Sequence, residues 1–215
     1  MPLGVVKFAF EVAKIVMLCQ QYSWVRPTVY QGIYNALARS ADDELLPCLE
    51  RYGIAFYAYS PLAGGLLTDR YLESNSTPTE GRFSEAIGKL GKGCREMWFR
   101  EGNLKALGPV YEEAKKTGIS MLQVSLRWMV HHSPLNIQNN GSATASDGVF
   151  IGASSEKQLE ENLYAVEQGS LPESVVRRIY EAWKMVRAGA DPLGWEAGVW
   201  HRLAGGIGQQ ALRKI

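Results

Sequence analysis

Three short runs rich in β-branched and aromatic side chains, at residues 28–34, 54–59 and 149–151, are separated by segments whose apolar residues recur at helical spacing. A strand followed by a helix cannot close a tight hairpin with the next strand, so it returns to the sheet in parallel through a crossover. The chain is thereby confined to α/β architectures with parallel strands and crossover helices, either an open doubly wound sheet or part of a (β/α)8 TIM barrel. Three strands are few for 215 residues. A complete barrel typically uses about 250 residues and eight strands, so the sequence has the helices of half a barrel without the strands to close one.

Local signals set the boundaries of the elements. Residues 8–21 read as an amphipathic helix, with Lys7, Glu11 and Lys14 on one polar stripe. Asp42, Asp43 and Glu44 supply acidic residues at the start of a helix that ends at Gly53. Residues 61–102, broken by Pro61, Gly64, Gly65 and further glycines, read mostly as loop. A helical face returns at Leu104, Leu107, Val110 and Ala114 and stops at Gly118, and Ser120 caps the next helix, which runs to His132. A polar stretch over 136–147 precedes the third strand. After that strand, Ser155 and Gln158 are spaced as a capping box, and Pro172 opens a last helix at its first position.

Charge and cysteine content exclude several function classes. With 23 Lys plus Arg against 22 Asp plus Glu, interspersed, no basic stripe is available for nucleic acid or an anionic membrane. Charges interrupt the apolar N-terminal segment, as neither a secretory signal nor a membrane span would allow. Cys19, Cys48 and Cys94 are odd in number and widely spaced, which excludes a zinc motif and predicts reduced thiols in a cytoplasmic protein.

Tyr30-Gln31-Gly32-Ile33-Tyr34-Asn35 and Tyr57-Ala58-Tyr59-Ser60-Pro61-Leu62-Ala63-Gly64-Gly65-Leu66-Leu67 closely resemble the aldo-keto reductases, nearest to the branch with the aflatoxin-aldehyde reductases. Gly81-Arg82-Phe83, Leu126-Arg127-Trp128, Ile151-Gly152-Ala153-Ser154-Ser155, Gln158-Leu159-Glu160-Glu161-Asn162 and Ala182-Trp183 follow in that family's order, so that the resemblance spans roughly residues 8–187. It implies a partial (β/α)8 barrel over 1–187, representing the C-terminal half of the family's fold, and a divergent tail over 188–215. The resemblance places the family's catalytic Asp, Tyr, Lys and His in the other half, so no residue here inherits a catalytic role, and no metal is implied.

The same resemblance implies an NADP(H) site. Gln31, read at a strand end, matches the amide that bonds the nicotinamide carboxamide, and a side-chain amide offers both the donor and the acceptor required. Tyr59 matches the ring on which nicotinamide stacks. Ser60, Leu62 and Gly64 match positions around the pyrophosphate, where small residues let main-chain N–H groups approach an anion. Ser154 and Gln158 match positions near the adenosine 2′-phosphate, and Glu161 and Asn162 positions near the adenine, at a helix N-terminus suited to phosphate. Gly152 and Gln158 stand where many relatives carry Lys or Arg, which leaves NADP against NAD open, and Lys157 reads as a solvated helix residue. Val6 and Lys7 replace a Ser-Asn pair that also grips the carboxamide, removing two hydrogen bonds of about 1 kcal/mol each.

Arg82, Trp98 and Arg100 fall in the loop that in the family covers the substrate mouth, so they are the candidates for contact with a carbonyl substrate. His131 and His132, at a helix end, read as structural or surface residues. Three readings stand at this point: the cofactor half of a carbonyl reductase; a repurposed form with a non-redox binding, isomerase or cyclase role; and an inactive gene fragment. An open half-barrel would expose apolar surface and so predicts a homo-oligomer or a partner chain.

Overall fold

The computed structural model describes residues 8–72, 78, 79, 81–137 and 146–187. Within them the order is α1 (Ala9–Gln21), β1 (Val29–Ile33), α2 (Leu45–Tyr52), β2 (Ala55–Tyr59), α3 (Lys89–Met97), α4 (Glu101–Thr117), α5 (Met121–His131), β3 (Gly148–Val149), α6 (Glu156–Glu167) and α7 (Glu173–Arg187). The three described strands form one parallel sheet in the order β1-β2-β3. The structure is therefore α/β with a three-stranded parallel sheet and helices, and it is not a closed barrel. Residues 1–7 and 188–215, with Val6, Lys7 and the divergent tail, lie outside the described residues.

The register gives the two sheet faces different fates. Val29 to Ile33 pair in step with Ala55 to Tyr59, and Tyr57 pairs with Gly148. Side chains alternate across the pleat, so Tyr30, Gly32, Phe56 and Ala58 share the face that the helices cover, and all four are buried. Gln31, Tyr57, Tyr59 and Phe150 share the other face. Gln31 and Phe150 are exposed there, while Tyr57 and Tyr59 are partly covered. Parallel sheets usually bury both faces; here Ile33 and Ala55 are buried on this second face, but the part around Gln31 and Phe150 is open. Further exposed apolar side chains lie on α1, at Phe10 and Met17, and on α6, at Leu159, Leu163 and Tyr164.

The packed face holds the core. Phe56 stacks on Tyr30 at 5.6 Å between ring centroids and meets Tyr34 edge-on at 5.8 Å. A Cβ at Gly32 would stand 2.8 Å from the Phe56 ring, so only a glycine lets the two strands share that space. Tyr34 also stacks against Trp128 of α5, and its buried hydroxyl donates to Asp42 at 2.5 Å. Asp42 in turn accepts from Arg39, whose guanidinium lies over Trp128 and Trp183. Burial, reinforced by the Asp42 carboxylate, raises the Tyr34 pKa far above the usual phenol value. The hydroxyl thus stays protonated and donates.

Helix ends follow the local signals closely. Gly53 and Gly118 close α2 and α4 in the left-handed region, and Ser120 and Gln123 form the reciprocal capping box of α5. At α6 the expected box is only half made. The Ser155 hydroxyl accepts from the Gln158 N–H at 3.3 Å, but the Gln158 carboxamide oxygen accepts from both the N–H and the hydroxyl of Ser154, each at 2.9 Å. Pro172 sits one residue before α7, its carbonyl accepting from Val175 and Val176.

The region expected to be mostly loop contains the helix α3 as well as three short 3-10 turns. Its glycines mislead a reading by propensity because tertiary packing requires them. A Cβ on Gly91 would come 2.2 Å from the Ser84 carbonyl oxygen, so the helix can lie this close to the preceding turn only without a side chain there. The described ends of the polar stretch over 136–147 have a structural purpose. Asp147 accepts from the main-chain N–H of Phe56 and of Asn136, each at 2.7 Å, tying the starts of β2 and β3 together.

Candidate cofactor site

All three parallel strands point the same way, so the segments following β1, β2 and β3 gather at one end of the sheet. Parallel α/β sheets hold their ligands at this end. The segment after β2 has the most distinctive backbone. Ser60, Ala63, Gly64 and Gly65 have φ of +58°, +49°, +70° and +107°, a left-handed cluster that two non-glycine residues adopt at a cost of roughly 1–2 kcal/mol each.

Within this turn the N–H of Ala63 donates to Ser60, that of Gly65 to Leu62 and that of Leu67 to Leu62, at 2.8–3.2 Å. Among the described residues no hydrogen bond takes up the N–H of Leu62 or of Gly64. Both residues are partly exposed. Main-chain N–H groups left free in a turn that contains left-handed residues can form an anion-binding concavity. Gly64 could not carry a side chain without strain, since its φ is positive and a Cβ would meet Trp98 at 3.3 Å.

The other candidates divide. Gln31 is the third of five residues in β1 rather than at its end, and its side chain lies exposed on the open face beside Tyr57. Tyr59, the last residue of β2, is on that same face. Ser154 is exposed just before α6, and Gln158 and Glu161 are exposed on its first turns. Lys157 pairs with Glu161 at 3.9 Å, and Glu156 places a negative charge in the first turn, which opposes an anion there. Asn162 is 2% exposed, and its side-chain oxygen is buried with no hydrogen-bond partner among the described residues. Buried polar atoms are normally satisfied, so this oxygen marks a place where a donor would fit.

The substrate-side candidates fare differently. Trp98 is 5% exposed and packs beneath the turn at Gly64, which makes it a core side chain rather than an open contact surface. Arg100 begins α4 and donates to the Glu96 carbonyl, and Arg82 is exposed. The described residues contain no cluster of three His, Cys, Asp or Glu side chains able to hold a metal, and no described helix is long and apolar enough to cross a membrane.

Residues 3–184 match the aldo/keto reductase family. The chain belongs to this family. It is 41% identical over 184 residues to an aldo-keto reductase of Pseudocercospora fijiensis, covering 86% of this chain and 60% of that protein. Aflatoxin B1 aldehyde reductase member 2 of Rattus norvegicus is 42% identical over 191 residues, covering 86% of this chain and 50% of its own. The corresponding human protein is 40% identical over 192 residues, with 86% and 51% covered. This aldo-keto reductase chain thus spans about half to three-fifths of the length of the curated relatives it matches.

Two features of the family chain had only a partial sequence signal. Asn35, at the end of the Tyr30–Asn35 run, has no local signal of a role, yet it is fully buried and bonded to the turn after β2. His131 and His132 hold the segment between α6 and α7. His131 Nε2 lies 2.8 Å from the Gln168 carbonyl, which only accepts, so that nitrogen carries the proton. His132 Nε2 accepts the Leu171 N–H at 2.8 Å, which places any proton of the neutral ring on Nδ1.

Burial first, then the neighbouring His131 and Arg127, lowers the His132 pKa. A histidine whose folded pKa lies below its unfolded value of about 6.5 binds fewer protons when folded, so stability is lost as pH falls through that interval. The denaturant midpoint of the wild type is therefore expected to fall between pH 7 and pH 5 more steeply than that of His132→Asn, which cannot take up this proton. Parallel pH profiles would exclude the neutral acceptor role.

Proposed function

We propose that this chain supplies the NADP(H)-binding half of a carbonyl reductase acting on an aldehyde or ketone. The observation carrying the proposal is the left-handed turn over 60–65, with the Leu62 and Gly64 N–H groups unclaimed at the ligand-binding end of the sheet. The names of the aflatoxin B1 aldehyde reductases support the substrate class. The cofactor, when bound, supplies a hydride. Ser60, Leu62 and Gly64 would hold its pyrophosphate, Gln31 its carboxamide and Tyr59 its nicotinamide ring. Ser154 and Gln158 would face the 2′-phosphate, and Glu161 and Asn162 the adenine. The Asn162 oxygen fits an amine donor such as the adenine carries. Arg82 and Arg100 remain as groups on the substrate side. The three free cysteines support a cytoplasmic setting.

Titration of the purified chain with NADPH, followed through its six tryptophans, should show saturable micromolar binding. Gly64→Val should weaken it by roughly tenfold or more, because a β-branched residue resists positive φ and its side chain crowds the N–H groups. A folded wild-type chain that does not bind NADPH would refute the cofactor reading. The chain alone should show negligible NADPH oxidation with a simple aldehyde, since the proton donor that the reaction requires belongs to the family's other half.

The open sheet face, with Gln31 and Phe150 exposed, favours a covering partner, either a second copy or a complementing chain. Sedimentation should reveal association. A monomer that persists at high concentration and gains no stability from added chain would count against it.

A further inference from the structure

We propose that Asn35 is a positioning residue that sets the pyrophosphate turn from the loop after the neighbouring strand β1, an inference that rests on the cofactor reading above. The side chain is fully buried and spans two segments. Its Nδ2 donates to the Ser60 carbonyl at 2.9 Å, and its Oδ1 accepts the Leu37 N–H at 2.9 Å. Both ends of the amide are thus used, which fixes its orientation chemically, because the carbonyl of Ser60 requires a donor and the N–H of Leu37 an acceptor.

The loop around Asn35 is itself closed. Its main-chain N–H donates to the Ala38 carbonyl, and its own carbonyl accepts from Ala38, at 3.3 and 3.0 Å. This closed loop presents one amide toward β2. The Ser60 carbonyl accepts from Asn35 and also from the Ala63 N–H at 3.0 Å. Ser60 is a non-glycine residue at φ +58°, a conformation that persists only where its surroundings impose it. Pro61 follows, so the peptide plane after Ser60 has no N–H with which to anchor itself. The two bonds to the Ser60 carbonyl orient this plane, and the Leu62 and Gly64 N–H groups take their direction from it.

A positioning role separates the two ends of the cofactor. Asn35→Ala should weaken NADPH binding by about tenfold, the effect of roughly one lost hydrogen bond and a mobile turn. Adenosine 2′-monophosphate reaches only the α6 end, so its affinity should change by no more than about twofold. Equal losses for both ligands, or none for either, would overturn the proposal.

Amide hydrogen exchange without ligand provides the second measurement, on Asn35→Asp. This variant keeps the volume and the acceptor for Leu37 but removes the donor to Ser60. Exchange at Ala63 should accelerate by about tenfold or more while Leu37 stays protected. Unchanged exchange at Ala63 would sink the role of Asn35 whatever the cofactor result. Accelerated exchange in a chain that does not bind NADPH would retain the bracing of the turn and refute only its connection to the cofactor.

Discussion

Replacing Phe56 by alanine should cost about 3–5 kcal/mol of folding stability, the range measured for large-to-small changes at buried aromatic sites. The ring is 1% exposed, stacked on Tyr30, edge-on to Tyr34 and seated over Gly32. None of these neighbours can collapse into the space: Tyr30 is held by strand pairing, Tyr34 by its bonds to the Tyr59 carbonyl and to Asp42, and glycine has no side chain to extend. A domain with a total stability of about 5–15 kcal/mol would be left marginal. Urea unfolding of both proteins gives the difference directly. Tyr57, the next residue on the strand but on the open face, is the matched control, and Tyr57→Ala should cost less than about 1 kcal/mol. Equal costs at the two positions would mean that the assignment of packed and open faces is wrong.

The second large effect is expected at Asp147. Its carboxylate accepts two main-chain N–H groups at 2.7 Å, one of them 91 residues away on β2. Hydrogen bonds to a charged group contribute about 1.5–3 kcal/mol each, so Asp147→Ala should cost about 3 kcal/mol or more and release β3 from the sheet. Asp147→Asn retains one acceptor oxygen and should lose about half as much. Exchange protection at the Phe56 and Asn136 amides should fall together in the alanine variant. Protection lost at only one of them would show that the two bonds do not act as a single tie.

Asp147 also illustrates why only part of the structure is legible in the sequence. Short-range chemistry is written locally: Gly53, Gly118 and the Ser120-Gln123 pair end or begin helices through contacts within four residues, and the helices end and begin there. Parallel strands could be read from the alternation of element types. Long-range chemistry leaves little local trace. Asp147 looks like one more polar residue in a linker, and Gly91 and Gly93 look like helix breakers although the close approach to Ser84 explains the first of them. The Ser155/Gln158 spacing predicts a reciprocal box, but the Gln158 oxygen takes Ser154 as its donor, because a carboxamide oxygen can reach back to either of two adjacent serines.

The candidate site divides along the same line. The positions of Tyr59, Ser60, Leu62 and Gly64 relative to β2 were readable as a motif, while the free N–H groups and the buried Asn35 that braces them required coordinates. Trp98 shows how burial escapes a local reading. An aromatic residue in a long glycine-rich segment reads as a candidate for substrate contact, and the structure buries it against Gly64.

The strand order β1-β2-β3 has a consequence for how copies of this chain would grow if they joined through their sheets. β1 and β3 are the outer strands among those described, and all three run in the same direction. A match that continues the parallel sheet brings the β3 rim of one copy to the β1 rim of the next. Such a contact is head-to-tail and leaves one unused rim at each end, so it terminates only if curvature brings the ends back into a ring, and otherwise it extends as a filament.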